Sequence, residues 1–157
     1  MKPVMQYTVE IEVARPLAEV VESFASRSNM PYWQEGLLSD EPLEGEPGQE
    51  GSKARLTFRM GKRTMVMVET IEVRDLPERF HAFYETKGVR NRVAMRFEGA
   101  GENRTRLISE NEFVFTAWMM RVMGAVLGSM FRKQSMKYLT DFKAFAEQGT
   151  DVRQRAR

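Results

Sequence analysis

The sequence contains no cysteine and a single histidine, His81, among its 157 residues. The absence of cysteine excludes disulfide bonds and thiolate chemistry, and it makes a cytoplasmic location the simplest expectation. One histidine cannot build a histidine-based metal cluster, and the sequence has neither a phosphate-binding glycine loop nor a nucleophile elbow. We therefore predict that the protein uses no metal and no cofactor.

The sequence also lacks a long apolar run and a strong excess of one charge. Its most apolar window, residues 118–131, is shorter than the roughly 20 residues of a membrane-spanning helix, and Arg121 interrupts it. The N-terminal stretch MKPVMQYTVEIEV alternates in polarity, so we expect no signal peptide. Lysine and arginine total 24 against 22 acidic residues, which gives no broad electrostatic reason to bind nucleic acid.

The length and composition are those of one globular domain. Apolar residues make up 42% of the chain and charged residues 29%. We predict a single domain over residues 1–148, followed by a flexible basic tail, 149–157, that contains Arg153, Arg155 and Arg157. The sequence leaves open whether the protein is a monomer or a homodimer.

Most of the chain alternates between polar and apolar residues, which is typical of half-buried strands. The pattern predicts strands at residues 7–13, 37–44, 53–60, 63–74, 80–88, 89–98 and 106–115. Between the first two strands, Pro16 opens a helix whose apolar residues recur every three or four positions. Because the later strands are joined by short links such as Gly61–Lys62, we expect a mostly antiparallel sheet.

The remaining long element is a helix predicted over residues 117–147, about 46 Å in length. One apolar stripe follows its whole length and should cover the sheet. A second stripe occurs only in the first half, at Met119, Met123, Val126 and Met130. This extra apolar surface has three explanations: ordinary core, one wall of a ligand cavity, or a surface that meets lipid or a partner.

The order of these segments resembles that of a known family. A first strand is followed by ARPLAEVVESFAS, NMPYWQ, a strand meander with VRDLPERF, and the helix MMRVMGAVLGSMFRKQSMKYLTDFKAFAEQ. This arrangement resembles the START-like superfamily, which includes Bet v 1-type proteins and bacterial polyketide cyclase/dehydrase-like (SRPBCC) proteins. The resemblance implies an α+β helix-grip fold: a curved seven-stranded antiparallel sheet around a long C-terminal helix, with two short helices after strand 1.

The resemblance also implies a deep, largely apolar cavity between the sheet and the last helix. Carried over to this sequence, the cavity has Tyr32 and Trp33 near its mouth. Its roof is the second helix stripe, Met119, Met123, Val126 and Met130. The expected wall residues are Leu56, Phe58, Met67, Tyr84, Val93, Met95, Phe97, Phe113 and Phe115.

Several polar residues share the phase of the inward-facing apolar positions. Asn91 and Asn111 could orient a carbonyl or hydroxyl group of a ligand, or they could pair with each other or with the backbone. Glu69 has the phase of its apolar neighbours, so it is either a buried carboxylate suited to acid–base work, turned outward by a bulge, or paired with an arginine. Tyr84 and His81 are the next candidate catalytic groups.

These observations lead to three hypotheses for function. The first is a binder or carrier of a small hydrophobic ligand such as a lipid, polyketide, aromatic or isoprenoid-like molecule. The second is a cyclase or dehydratase that uses Glu69. The third is a membrane-associated chaperone for quinones or other lipids, in which Arg121, Arg132 and Lys133 meet anionic lipid. We favour the first, and membrane contact is not favoured.

Overall fold

The computed structural model describes residues 5–118 and 127–155. Its strands are β1 Met5–Val13, β2 Leu37–Glu44, β3 Lys53–Met60, β4 Arg63–Asp75, β5 Arg79–Thr86, β6 Val89–Gly101 and β7 Arg104–Phe115. Its helices are α1 Leu17–Ala25, α2 Met30–Trp33 and α3, whose described part is Leu127–Gln148, with 3-10 turns at Arg27–Asn29 and Val152–Gln154.

All seven strands form one antiparallel sheet in the order β1-β7-β6-β5-β4-β3-β2. The sequence alternation predicted each of these strands, because inward residues such as Leu56 and Leu107 are buried while their strand neighbours are more exposed. The helix-grip fold expected from the resemblance is confirmed, including the two short helices that follow β1.

The described part of the last helix lies against this sheet and is fixed to the domain near Phe131 and at Phe142. Phe142 is fully buried in the main core, and the hydroxyl of Tyr7 on β1 donates to the carbonyl oxygen of Phe131 at 2.9 Å. The helix ends at Gln148, one residue beyond the prediction, because Gly149 takes a left-handed φ of 69°. Its predicted start at residue 117 precedes residues 119–126, which lie outside the described residues.

The tail that we predicted to be flexible instead packs against the domain in its described part. The side chain of Val152 is buried, and the Arg153 guanidinium lies 4.8 Å from the centre of the Tyr32 ring. Arg155 forms an ion pair with Asp141, a helix residue that is itself buried. A single buried valine and two charged contacts give no periodic pattern, so the sequence did not reveal this packing.

We expect Val152→Ala to lower the free energy of unfolding by about 1 kcal/mol, because it removes two buried methyl groups. Val66→Ala is the matched control, since Val66 is exposed on the outer face of the sheet. Chemical denaturation of the two variants would measure the difference. Equal effects would mean that the tail does not pack as described.

Candidate functional site

A cavity of about 500 Å³ lies between the inner face of the sheet and α3. This volume is in the range of pockets that hold small organic molecules. Its lining is mostly apolar and includes methionines from three of the strands, Met60 on β3, Met65 and Met67 on β4, and Met95 on β6. On the helix side, the wall includes Phe131, Gln134, Ser135, Tyr138 and Leu139, which recur at helical spacing.

Six of the nine predicted wall residues line this cavity. They are Phe58, Met67, Tyr84, Val93, Met95 and Phe113. The other three, Leu56, Phe97 and Phe115, also face inward but are buried in packed core beside the cavity. The ring centres of Phe97 and Phe24 are 5.1 Å apart, and those of Phe115 and Phe131 are 5.9 Å apart. Strand alternation gives the face on which a residue lies, but not how far the cavity extends along that face.

The mouth and roof residues differ more from expectation. Trp33 lines the cavity, whereas Tyr32 lies on the outer side of α2 against Phe145. Met130 is 59% exposed, because one residue of helical rotation separates it from the inward-facing Phe131. The predicted roof residues Met119, Met123 and Val126 lie outside the described residues.

One end of the cavity carries a buried ion pair. Glu69 is 4% exposed, and its Oε1 lies 2.8 Å from Nη2 of Arg27 in the turn after α1. The same guanidinium donates to both carboxylate oxygens of Asp40 on β2, at 2.6 and 2.9 Å. Of the alternatives left open by the sequence, the structure shows the ion pair with an arginine, and the carboxylate is buried as well. Burial by itself would lower the pKa of Arg27, but the two carboxylates outweigh it and raise the pKa, so this side chain stays charged.

Tyr84 completes this polar end of the cavity. It lies opposite Glu69 in the β4–β5 ladder, which places its hydroxyl near the Glu69 carboxylate. Burial raises the pKa of Tyr84 well above 10, and the negative charge of Glu69 raises it further. The phenol is therefore a hydrogen-bond donor at neutral pH and not a base.

The two inward asparagines also line the cavity. The side-chain amide of Asn91 donates to the carbonyl oxygen of Glu112 at 3.2 Å, and that of Asn111 donates to Oγ of Ser109 at 3.1 Å. The side-chain nitrogens of both asparagines therefore donate to groups of the sheet itself. The two asparagines do not pair with each other. Whether their oxygens meet a ligand stays a prediction.

His81 is outside this site. Its neighbours Phe80 and Ala82 are buried on the inner face of β5, so the imidazole projects from the outer face, where Nδ1 lies 3.2 Å from Nη2 of Arg92. Partial burial lowers the pKa of His81, and the nearby positive charge of Arg92 lowers it further. It is therefore not a candidate for chemistry inside the cavity.

Arg27 is a site residue whose importance the sequence did not indicate. A carboxylate in phase with apolar residues signals that a cation must reach it, but the pattern does not say which arginine does so. Trp33 is buried, and its indole Nε1 has no acceptor among residues 5–118 and 127–155. A buried donor of this kind usually finds a partner, and a molecule in the cavity would be one.

Two further kinds of site, a membrane-spanning helix and a metal-binding cluster, can be checked within the described residues. Within residues 5–118 and 127–155, no helix is long and apolar enough to cross a membrane. In the same part of the chain, no cluster of three or more acidic or histidine side chains is suited to hold a metal ion. Arg132 and Lys133, expected to meet lipid in the membrane hypothesis, are exposed, and Arg121 lies outside the described residues.

Comparison with known proteins agrees with this geometry. A family model described as polyketide cyclase/dehydrase and lipid transport matches residues 5–147. No curated protein matches the sequence significantly. Among solved structures, the chain is similar to the ZhuI aromatase/cyclase from Streptomyces sp. R1128, with a TM-score of 0.74 and 16% identity, covering 90% of this chain and 92% of that one.

Two other solved structures share the fold. A conserved protein from Geobacillus kaustophilus has a TM-score of 0.75 at 14% identity, covering 90% of this chain and 95% of that chain. The Ara h 8.0201 protein has a TM-score of 0.69 at 15% identity, covering 90% and 97%. At such identities the similarity establishes the fold and not the ligand.

We expect Arg27→Met to lower the free energy of unfolding by about 3 kcal/mol, because it leaves the Glu69 carboxylate buried without its cation. The double variant Arg27→Met/Glu69→Gln should be more stable than Arg27→Met alone. Denaturant unfolding at pH 7 would measure both. Arg55→Met is the matched control, since it breaks an exposed ion pair with Glu41 and should change stability by less than about 1 kcal/mol. A double variant no better than the single one would contradict the pairing.

The raised pKa of Tyr84 gives a pH dependence with a definite sign. An unfolded chain loses tyrosine protons near pH 10, whereas folded Tyr84 keeps its proton at higher pH. The unfolded state therefore binds fewer protons, and the free energy of unfolding falls as the pH rises above about 10. Tyr84→Phe should reduce that fall without removing it, because burial also raises the pKa of Tyr138. Parallel stability curves from pH 8 to 11 would argue against a buried Tyr84.

Proposed function

Because the chain belongs to the polyketide cyclase/dehydrase and lipid transport family, we propose that it binds one small hydrophobic molecule between the sheet and α3. The observation that carries this proposal is the cavity of about 500 Å³, whose largely apolar walls are rich in methionine and phenylalanine. An apolar guest that leaves water for such walls gains roughly 25 cal/mol for each Å² buried. Flexible methionine side chains allow the walls to adapt to guests of different shape.

Uptake of the neutral hydrocarbon diphenylhexatriene tests this proposal directly. The probe should bind with a stoichiometry of one per chain and become fluorescent. Val93→Trp should abolish uptake, because the indole would occupy the cavity that Val93 lines. Val66→Trp is the matched control, since it makes the same change on the outer face. If both variants take up the probe as the original protein does, the binding site is not this cavity.

An enzymatic role is the second candidate, and the Glu69–Tyr84 pair favours it. The pair places a carboxylate and a protonated phenol together at one end of an apolar cavity. In dehydration of a β-hydroxy ketone, a carboxylate can remove the proton next to the carbonyl while the hydroxyl leaves, with a proton, as water. The similarity to an aromatase/cyclase supports the same candidate as an analogy of fold.

Binding and catalysis are separated by Glu69→Gln. As an enzyme, the variant should lose turnover of a β-hydroxy ketone while still taking up diphenylhexatriene. A purely binding protein shows no turnover in either form. Turnover that is unchanged in Glu69→Gln would eliminate this version of the enzyme.

A further inference from the structure

The sheet side of the cavity brings three polar side chains close together. Glu69 is opposite Tyr84 in the β4–β5 ladder, and Tyr84 is opposite Asn91 in the β5–β6 ladder. Asn111 is opposite Val93, two residues from Asn91 on the same face. Glu69, Asn91 and Asn111 therefore form a polar floor across four adjacent strands, and all three line the cavity.

The amide hydrogens of this polar floor are already used. Asn91 Nδ2 lies 3.2 Å from the carbonyl oxygen of Glu112, and Asn111 Nδ2 lies 3.4 Å from that of Ser109. Because a carbonyl oxygen can only accept, these contacts fix which end of each amide is nitrogen. Among the described residues, neither Oδ1 atom receives a hydrogen bond, so the oxygens are the atoms left for a guest.

Glu69 adds a third acceptor with unused capacity. A carboxylate offers about four acceptor positions. Among the described residues, Arg27 forms an ion pair with this carboxylate, and Tyr84 lies opposite it in the β4–β5 ladder. Glu69 and Asn111 are both 4% exposed and line the cavity, so a guest that displaces water from it must replace the hydrogen bonds that the water made. The polar floor therefore requires donors from whatever occupies the cavity.

The cations near the cavity do not offer an equivalent site for an anion at this end. Arg27 is shared between Asp40 and Glu69, and Arg74 donates to the carbonyl oxygen of Gly48. Lys87 is exposed, so an anion that it attracts would remain in contact with water. A guest carboxylate beside Glu69 would add a like charge in an apolar setting, which is strongly unfavourable.

Resting on the proposed binding function, we propose that the guest is an apolar molecule that carries hydroxyl groups and no ionised carboxylate. A hydroxyl group donates to the polar floor. It can also accept from donors elsewhere in the wall, such as Nε1 of Trp33, which has no acceptor in the described part of the chain. An ether or a carboxylate can only accept, so each leaves the acceptors of the polar floor without donors.

Three naphthalenes of nearly the same shape test this inference at pH 7: 2-naphthol, 2-methoxynaphthalene and 2-naphthoate. Each compound is titrated into the complex of the purified protein with diphenylhexatriene, and the concentration that displaces the probe is measured. We expect 2-naphthol to do so at about tenfold lower concentration than its methyl ether, as for one hydrogen bond worth about 1.4 kcal/mol. The naphthoate should be the weakest of the three. Equal displacement by naphthol and ether, or tightest displacement by naphthoate, would overturn the inference.

Variants then assign the preference to the polar floor. Asn111→Leu and Asn91→Leu keep the size of the side chain but remove the oxygen, so the naphthol-to-ether ratio should fall toward one while the ether binds as before. Asn103→Leu, in the exposed β6–β7 turn, is the control and should keep the original ratio. A ratio unchanged in both cavity variants would contradict the assignment. Melting curves identify a variant that fails to fold. The comparison of the three naphthalenes on the original protein needs no variant and tests the preference for hydroxyl groups by itself.

The two proposals fail in different ways. If diphenylhexatriene is not taken up and calorimetry detects no binding of any naphthalene, the binding function itself is refuted. If the probe binds in the cavity but the three naphthalenes do not differ, only the preference for hydroxyl groups is refuted.

Discussion

The carboxylate of Glu69 can remain inside an apolar cavity only because Arg27 reaches it from the turn after α1. An unpaired buried charge is strongly destabilising, so this ion pair constrains the elements that carry it. Arg27 also holds Asp40, and the three side chains connect the α1–α2 segment to β4 and β2. The short helices are therefore tied to the sheet at the place where the cavity is polar. The closure of the cavity and the chemistry of its polar end therefore depend on the same contacts.

One part of the inner face of the sheet is covered by packed core, and another part lines the cavity. Near α1 and α2, the ring centre of Phe24 lies 5.1 to 6.0 Å from those of Trp33, Phe97 and Phe142, and the rings of Trp33 and Phe142 are 5.2 Å apart. The space beyond this aromatic cluster is lined by methionines of the sheet, which fill volume less rigidly than aromatic rings. The extra apolar stripe of the last helix suggested a cavity, but the one member of its predicted roof among the described residues, Met130, points to solvent. The adaptable wall is thus on the strands.

The sequence predicted what local periodicity determines. Alternation gave all seven strands and their inner faces, and Gly149 gave the end of the last helix within one residue. It did not give contacts between distant segments, such as Arg27 with Glu69 or Arg155 with Asp141, because a charge pattern does not state which partner will be near. The phase of Glu69 showed that it would be buried if the strand were regular. Only the fold supplied the cation that makes this burial tolerable.

The acceptor character of the cavity follows from placing amides on the inner face of a sheet. An inward asparagine lies beside the carbonyl groups of its own and neighbouring strands, so its N–H groups find partners there and its oxygen does not. The buried carboxylate behaves in the same way, since it can only accept. A cavity can therefore be apolar in area and still select its guest by hydrogen-bond donors. Low identity to proteins of the same fold does not weaken this argument, because it depends on the inward residues of this chain and not on the shared architecture.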